Sequence, residues 1–216
     1  MSDAKRQFKD RVYTQLAKVG KSVSSSRRIE LLDLLSQAPR SVADLAEEAS
    51  LSVANTSQHL QTLKEAKLVE TEREGNRIIY RLSGPEVADF VVSLRRMAEA
   101  RHADLEAAER EFFADIPGPE LEEGDELWGR IEDGEVRVLD VRPEQEYEAG
   151  HIPGAVSMPV DQLEERLQEV GPDEEPIIVY CRGPYCTFAA EAVEELRAHG
   201  IEAVRLREGY SGWRRG

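Results

Sequence analysis

The pattern of the chain changes near Ile116, and this change limits what the chain can fold into. Before it, apolar residues recur at helical spacing, and after it short apolar runs alternate with helical stretches. Two prolines and a glycine mark the change, in the sequence Ile116-Pro117-Gly118-Pro119. Proline ends a helix because its ring removes a backbone donor and clashes with the preceding turn. The 216 residues therefore predict two domains rather than one.

The two parts of the chain also differ in charge. Residues 1–82 contain 14 Lys and Arg against 11 Asp and Glu, a net charge of +3, whereas residues 117–216 contain 10 against 24, a net charge of −14. A strongly acidic surface repels nucleic acid, so a nucleic-acid partner is compatible with the first part and not with the second. Acidity that serves only solubility is the alternative interpretation.

The hydropathy pattern contains no membrane or export signal. No run of 18 apolar residues occurs, and the charged stretch at residues 1–6 lacks the apolar centre of a secretory signal. The two cysteines of a chain without such a signal do not suggest a disulfide scaffold. We therefore expect a cytoplasmic protein with no membrane partner.

Four helices and a β-hairpin are predicted in the first part. Ser41 caps the third helix with Asp44 at the capping-box position, and Ser52 caps the fourth. Two helices joined by a short turn form a helix-turn-helix, and the hairpin that follows it is a wing. The predicted helices span residues 5–19, 24–36, 42–48 and 53–67, and the hairpin strands span residues 68–73 and 77–82.

The second helix of this motif carries polar side chains at its first exposed positions. Ala54, Leu60 and Leu63 are expected to face the core. Short polar groups can hydrogen bond with base edges and phosphates, whereas a merely solvated helix more often carries Glu and Lys. A small helical bundle with a solvated hairpin is the alternative. The predicted DNA-binding residues are Ser52, Asn55, Thr56, Ser57, Gln58 and His59 on the helix, and Arg73 and Arg77 at the wing tip.

A long amphipathic helix is predicted from Pro85 to Phe113. Such a helix outside a small domain needs a partner, and we expect the first and last helices of this part to form a two-fold homodimer. Two recognition helices would then lie about one DNA turn apart, roughly 34 Å, on a double-stranded operator. The apolar stripe of the long helix consists of Val87, Phe90, Val91, Leu94, Met97, Ala98 and Leu105.

The stretch from Leu51 to Val69 and the wing strand that ends in Ile79–Leu82 resemble the ArsR-family winged helix-turn-helix repressors. The resemblance covers about the first half of the chain and implies a DNA-binding regulator that acts as a repressor. Many members of that family sense metals or sulfur species with cysteines in this domain, but this domain contains none. His59 and His102 are isolated histidines, so neither a metal site nor a cofactor is expected.

The second part of the chain alternates short strands with helices, which is typical of an α/β domain. Five pieces of it, in order, resemble a single rhodanese-like domain with a parallel sheet. These pieces are Asp140-Val141-Arg142, Glu146-Tyr147, residues 150–155, residues 179–183 and residues 208–213. The expected assignment is a winged helix-turn-helix domain for DNA binding and dimerisation in residues 1–115, a linker in residues 116–122 and a rhodanese-like domain in residues 123–216.

The two cysteines bracket a six-residue loop from Cys181 to Cys186, between an apolar run and a helical pattern. A helix N-terminus offers unpaired N–H groups and partial positive charge, which favour the thiolate, the reactive form of cysteine. The rhodanese resemblance implies that Cys181 is the nucleophile that takes up sulfane sulfur as a persulfide, and that a six-residue loop suits sulfur rather than phosphate or arsenate chemistry. The other residues of this active-site loop are Arg182, Gly183, Pro184 and Tyr185.

The sequence leaves alternatives open for the residues around the nucleophile. Arg182 either adds positive charge to the loop or points to solvent. Asp140 and Arg142 are expected to be structural rather than catalytic. Cys186 is either a resolving thiol or a small buried residue at the start of a helix. A resolving thiol would attack a persulfide on Cys181 to form a disulfide and release sulfide, or would form a bridged polysulfide if the sulfur is retained.

Together these features predict a transcriptional regulator whose rhodanese-like domain senses or carries sulfane sulfur or redox signals through Cys181, with Cys186 as the second thiol. Small sulfur species, or thiol donors and acceptors, are the expected partners of that domain. A thiosulfate or persulfide sulfurtransferase tethered to a DNA-binding domain is the alternative. A weaker alternative is a sensor of trivalent arsenic or a soft metal, for which two sulfur ligands are available and no third is evident.

Overall fold

The computed structural model describes residues 3–117, 125–170 and 176–213. The chain forms two compact units, residues 1–101 and residues 102–216, each with its own core. Among the residues described, no helix is both long and apolar enough to cross a membrane. Each unit is described separately below.

The first unit is a bundle of helices with a small antiparallel sheet. Its elements are α1 (Asp3–Ser22), α2 (Ser26–Gln37), β1 (Arg40–Ser41), α3 (Val42–Glu48), α4 (Val53–Glu65), β2 (Val69–Glu74), β3 (Arg77–Leu82) and α5 (Pro85–Glu99). The order of the strands in the sheet is β1-β3-β2, and the β2–β3 hairpin turns at Gly75. This arrangement confirms the predicted winged helix-turn-helix, and it adds the short strand β1, which the sequence did not indicate.

Leucines from α2, α3 and α4 form the core of the first unit. Leu31, Leu32 and Leu45 are fully buried, and so are Leu60 and Leu63, as the sequence predicted for α4. The predicted cap of α3 is also present.

A reciprocal capping box fixes the start of α3. The hydroxyl of Ser41 accepts from the backbone N–H of Asp44, and the Asp44 carboxylate accepts from the backbone N–H of Ser41. Each bond satisfies a donor that the first turn of a helix leaves unpaired.

The single long helix predicted from Pro85 to Phe113 is wrong. The structure contains α5, which ends at Glu99, and a separate helix α6 (Ala103–Phe112). His102 has extended backbone angles and interrupts the helical hydrogen bonds between them. The apolar periodicity continues through the interruption, so it did not reveal where one helix ends and the next begins.

The second unit is an α/β layer structure around a parallel sheet. After α6 its elements are α7 (Asp125–Glu132), β4 (Val138–Asp140), α8 (Glu144–Ala149), β5 (Val156–Ser157), α9 (Leu163–Arg166), β6 (Ile177–Tyr180), α10 (Phe188–Ala198), β7 (Ala203–Arg205) and α11 (Gly209–Trp213), with single 3-10 turns at Val160–Gln162 and Leu167–Glu169. The order of the strands is β5-β4-β6-β7, and every pair is parallel. The predicted α/β fold with a parallel sheet is confirmed.

The two units divide after Arg101, earlier in the chain than the boundary that the sequence suggested at residues 115 and 116. Helix α6 belongs to the second unit, because Glu109 forms an ion pair with Arg207 and the Pro117 carbonyl accepts from the backbone N–H of Arg205. Residues 118–122 of the predicted linker lie outside the described residues.

A buried ion pair joins the strands of the second unit. The guanidinium of Arg142 donates to the Asp140 carboxylate, with 2.6 Å between Nη2 and Oδ2, and to the carbonyl of Gly150 at 2.8 Å. The Tyr180 hydroxyl donates to the same carboxylate at 2.6 Å and accepts from the backbone N–H of Ile152 at 3.1 Å. Burial and the neighbouring Asp140 charge raise the pKa of Tyr180, which keeps its hydroxyl protonated as a donor.

Replacement of Arg142 by Leu is expected to destabilise the second unit by about 3–5 kcal/mol, because it leaves the Asp140 charge buried without its partner. The measurement is urea unfolding followed by tryptophan fluorescence. Both tryptophans of the chain, Trp128 and Trp213, lie in this unit and contact each other. The control is Arg197→Leu, which removes an exposed ion pair with Glu202 and should change stability by less than about 1 kcal/mol. Equal losses in the two variants would contradict the importance of the buried pair.

Candidate functional site

The thiol loop, defined as Cys181–Cys186, connects the end of β6 to the start of α10. It lies at the carboxyl end of a central parallel strand, where open α/β sheets commonly place their functional loops. Cys181 is 1% exposed and Cys186 is partly exposed, while Tyr185 is 46% exposed at the tip of the loop. The loop therefore encloses one thiol and presents an aromatic ring to solvent.

Helix α11 holds the first two carbonyls of the thiol loop. The backbone N–H of Tyr210 donates to the Cys181 carbonyl at 2.9 Å, and that of Ser211 donates to the Arg182 carbonyl at 3.1 Å. Gly209 has φ +53°, and a Cβ there would collide with the Cys181 carbonyl oxygen, so this close approach requires glycine. With its carbonyls turned toward α11, the loop directs backbone N–H groups toward the sulfur atoms.

The two cysteines are free thiols that interact with each other. The Cys181 thiol donates to the Cys186 carbonyl oxygen at 3.5 Å. Burial raises the pKa of Cys181 well above its ordinary value, and the bond to Cys186 raises it further. The hydrogen bond from Cys181 and the nearby Arg182 guanidinium lower the pKa of Cys186. The pair therefore holds one proton on Cys181 while Cys186 ionises first.

The sequence predicted that the loop and the start of the following helix favour a thiolate, with Cys181 as the nucleophile. The backbone N–H groups of Gly183 and Ala189 do face Cys181, but their effect is smaller than that of its burial. Those of Arg182 and Phe188 face Cys186. The two sulfur atoms thus share the positive environment of the loop and of the first turn of α10.

Arg182 points inward rather than to solvent. Its guanidinium forms an ion pair with Glu146 of α8, with 2.6 Å between Nη2 and Oε1, and Glu146 is fully buried. The guanidinium also lies 4.9 Å from the centre of the Phe188 ring. Of the two alternatives for Arg182, the structure shows the one in which it adds positive charge beside the thiols.

Two residues that contact the loop were not predicted as site residues. Glu146 belongs to a sequence piece that matches the rhodanese pattern, but no local signal indicated that its carboxylate binds Arg182, 36 positions away. Arg205 of β7 donates from its guanidinium to the carbonyl of Pro184. The residues expected to be structural, Asp140 and Arg142, are both fully buried at the strand ends that precede the site.

The helix α4 presents only part of the predicted DNA-contacting set. Asn55 and Gln58 are exposed, and Ser57 and His59 are half-buried. Thr56 is a wrong prediction, because its side chain is fully buried and its hydroxyl donates to the Ser52 carbonyl at 3.1 Å.

The expected core position of Ala54 is also wrong, because the structure leaves Ala54 exposed. The buried stripe of α4 consists of Thr56, Leu60 and Leu63, at spacings of four and three residues. The stripe therefore starts two residues later than expected, with a polar residue in its first position.

The start of α4 and the wing frame this polar surface. The Ser52 hydroxyl accepts from the backbone N–H of Asn55 at 3.3 Å, which confirms the predicted cap. Lys64 donates to the Thr71 hydroxyl at 2.7 Å and so joins α4 to the wing strand β2. Arg73 and Arg77 are exposed on either side of the turn at the tip of the hairpin.

No group of three or more His, Cys, Asp or Glu side chains in the described part of the chain is arranged to hold a metal ion. The two thiols are the soft ligands present at the loop.

The pH dependence of alkylation tests the order of the two thiols. Cys186 should react with iodoacetamide at a lower pH than an ordinary cysteine, and Cys181 at a higher pH, because the thiolate is the reactive form. In Cys181→Ala the hydrogen-bond donor to Cys186 is lost, so the pKa of Cys186 should rise, and Arg182→Gln should act in the same direction. Intact mass spectrometry of samples quenched between pH 5 and pH 10 measures this. An unchanged or lower midpoint in Cys181→Ala would show that the two thiols are not coupled.

Both units of the chain are similar to known protein families. The rhodanese-like domain family matches residues 123–215, and the family described as bacterial regulatory protein, arsR family, matches residues 25–71. The arsenical resistance operon repressor of Staphylococcus aureus is 34% identical over 82 residues, which cover 38% of this chain and 79% of that protein. Among solved structures, the homodimeric winged helix-turn-helix DNA-binding domain of a possible ArsR-family regulator from Mycobacterium bovis is 36% identical and covers 47% of this chain and 91% of its own, with a TM-score of 0.42.

One similarity spans nearly the whole chain. The HTH-type transcriptional regulator Rv0324 of Mycobacterium tuberculosis is 40% identical over 200 residues, which cover 93% of this chain and 87% of that protein. Since this similarity includes both units and each family model falls on one of them, the chain belongs to the ArsR-type helix-turn-helix transcriptional regulators that carry a C-terminal rhodanese-like domain.

Proposed function

We propose that this regulator binds double-stranded DNA through α4 and the wing, and that its thiol loop senses sulfane sulfur or an oxidant through Cys181, with Cys186 as the second thiol. One observation carries the sensing role. The only two cysteines of the chain are free thiols on one loop, where the Cys181 thiol donates to the Cys186 carbonyl at 3.5 Å, in a protein that also has a helix-turn-helix. Two neighbouring thiols can react with a sulfane sulfur species or an oxidant, and the reaction changes the covalent structure of the loop.

The surface around α4 supports DNA binding. Asn55 and Gln58 project from its first two turns, and side-chain amides of this kind pair with adenine in the major groove. Arg73 and Arg77 are exposed at the wing tip, where they can neutralise phosphates. We therefore assign base contacts to the two exposed amides of the helix and phosphate contacts to the two arginines of the wing.

Exposed apolar residues on α1 support a homodimer. Phe8, Tyr13 and Leu16 are 68%, 64% and 61% exposed, and Met97 near the end of α5 is 60% exposed. Large exposed apolar side chains on neighbouring turns of one helix are typical of a surface that contacts a partner. A second copy of the chain is the partner we propose, because a two-fold arrangement covers the same faces on both copies and pairs two recognition helices.

The chemistry of sensing requires a proton acceptor beside Cys181. In the proposed reaction the Cys181 thiol transfers its proton to the Cys186 thiolate, and the Cys181 sulfur attacks the sulfane sulfur of a polysulfide. The S–S bond of the donor breaks, its remaining sulfur leaves as a thiolate or hydrosulfide, and Cys181 becomes a persulfide. Cys186 then loses its proton to water and attacks the inner sulfur of Cys181, which releases hydrosulfide and leaves a disulfide. The two thiols lose two electrons, and the sulfane sulfur gains them.

A sulfurtransferase is the second candidate, and the rhodanese-like domain match favours it. A sensor reacts once per chain, whereas an enzyme releases product repeatedly. The burial of Cys181 favours the sensor, because a nucleophile that is 1% exposed is poorly placed for rapid exchange with donor and acceptor. Steady-state release of many equivalents of product per chain would establish the enzyme instead.

Replacement of Gln58 by Ala is expected to weaken DNA binding by about 5–150-fold, the equivalent of one lost bidentate base contact of about 1–3 kcal/mol. Binding is measured by fluorescence anisotropy with a duplex that the reduced protein selects from a random pool. Thr56→Val is the matched control on the same helix, because Thr56 is buried and its replacement keeps the β-branched shape. A larger loss of affinity in Thr56→Val than in Gln58→Ala would show that α4 does not read DNA in the orientation proposed.

Polysulfide treatment of the reduced protein is expected to change its affinity for the selected duplex by about 5–150-fold, a typical size for coupling between two sites. In Cys181→Ser the affinity should not respond, because the sulfur that accepts the signal is absent. In Cys186→Ser the persulfide should form more slowly, because only water is left to accept the Cys181 proton, and no disulfide should follow the gain of one sulfur in the intact mass. Equal responses of the wild type and Cys181→Ser would refute the sensing role.

A further inference from the structure

Arg205 of β7 is 7% exposed and contacts two separate parts of the second unit. On one side its guanidinium donates to the carbonyl of Pro184, in the middle of the thiol loop. On the other side its Cζ lies 3.7 Å from the centre of the Phe113 ring, and its backbone N–H donates to the Pro117 carbonyl at 2.7 Å. One side chain therefore connects the loop between the two thiols with the segment that follows α6.

Other contacts fasten the same segment to the rhodanese-like unit. The Arg207 guanidinium pairs with the Glu109 carboxylate on α6, with 2.7 Å between Nη2 and Oε2. Ile116 packs against the apolar core that also contains Cys181. The connecting segment, defined as residues 109–117, is thus attached at Glu109, Phe113, Ile116 and Pro117. Two of these residues, Phe113 and Pro117, contact Arg205.

We propose that Arg205 is a positioning residue of the thiol loop, which holds the Pro184 carbonyl when the thiols are reduced and passes a change in the loop to the connecting segment. This inference rests on the proposed sensing role of the loop. It assigns to Arg205 the physical link between that loop and the part of the chain that leads back to the DNA-binding unit through α6.

The geometry of the loop explains why a modification would reach Arg205. The two cysteines are free thiols, and a disulfide would hold their sulfur atoms about 2.05 Å apart. Cys181 is 1% exposed, so a persulfide adds a sulfur atom to a buried position inside the loop. Pro184 lies between the two cysteines, and the Cys181 and Arg182 carbonyls are held by α11. The part of the loop around Pro184 is therefore the part that has to move.

A guanidinium that loses the Pro184 carbonyl has to reorient, because a buried donor left without an acceptor is costly. Its position over Phe113 depends on that orientation, since a planar cation stacks on an aromatic ring only when the two planes face each other. Modification is therefore expected to loosen the attachment of the connecting segment. Its backbone amides should then be less protected from hydrogen exchange.

Hydrogen exchange of the full-length protein tests this inference. Wild-type protein is compared in three states, reduced, treated with polysulfide, and alkylated at the loop thiols with iodoacetamide, with the adducts verified by intact mass. Exchange in peptides that cover residues 109–117 is expected to increase at least threefold in the modified states. An unchanged exchange rate of this segment in both modified states would overturn the proposal.

Two variants separate a positioning role from a merely structural one. In Phe113→Leu and in Arg205→Lys the difference in exchange between reduced and modified protein should fall below half of the wild-type difference. If these residues only stabilise the fold, exchange would rise in both states and the difference would persist, which would overturn the proposal. Phe112→Leu is the matched control, because Phe112 is adjacent and 65% exposed, and its variant should keep more than half of the wild-type difference.

Affinity for the selected duplex, measured on the same samples, distinguishes failure of this inference from failure of the proposed function. If modification changes exchange in residues 109–117 but leaves DNA affinity unchanged, the sensing function is wrong and the role of Arg205 stands. If DNA affinity changes while exchange in this segment does not, the sensing function stands and Arg205 is not the link.

Discussion

The guanidinium of Arg142 is fully buried in the second unit, where a charge is tolerated only with a complete set of partners. Asp140 and the Gly150 carbonyl accept its hydrogen bonds, and the Tyr210 ring lies 4.1 Å from its Cζ. Tyr180 completes the set by donating to the same carboxylate. These partners come from β4, the end of α8, β6 and α11. Because the Arg142 guanidinium needs all of them, it holds these elements together around β6, the strand that leads into the thiol loop.

A second buried charge pair, in the same unit, determines the electrostatics of the thiols. Glu146 turns Arg182 inward, where its guanidinium adds to the larger effect of Cys181 in lowering the pKa of Cys186, while burial raises the pKa of Cys181. Reactivity is therefore divided between two sulfur atoms rather than concentrated on one. The proposed sensing reaction depends on this division, because it uses Cys186 first as proton acceptor and then as nucleophile.

The placement of α6 connects this chemistry to the rest of the chain. The sequence suggested that residues 85–113 form one helix of the DNA-binding part, but α6 packs with the rhodanese-like unit and α5 with the winged unit. The interruption near His102 is thus the covalent junction between the two units. Within the rhodanese-like unit, α6 and the residues after it are held through Glu109, Phe113 and Pro117.

The sequence alone determined the features that depend on neighbours in the chain. Helical periodicity, the capping residues Ser41 and Ser52 and the strand–loop–helix around Cys181 each follow from local rules, and the structure contains all of them. The order of motifs was also enough to identify both domain families. The burial of Thr56 was not predictable in this way, because it depends on which face of α4 meets the core.

Only the tertiary structure decided which distant residues meet. Glu146 binds Arg182 across 36 positions, Tyr180 binds Asp140 across 40, and Arg205 reaches both Pro184 and Phe113. No local pattern encodes these pairs, because a charged side chain has the same sequence signal whether it faces solvent or a buried partner. Burial sets the cost of an unpaired charge and the pKa of a thiol, and burial is a property of the folded chain. The location of the thiols was therefore evident from the sequence, whereas their protonation and their link to α6 followed from the fold.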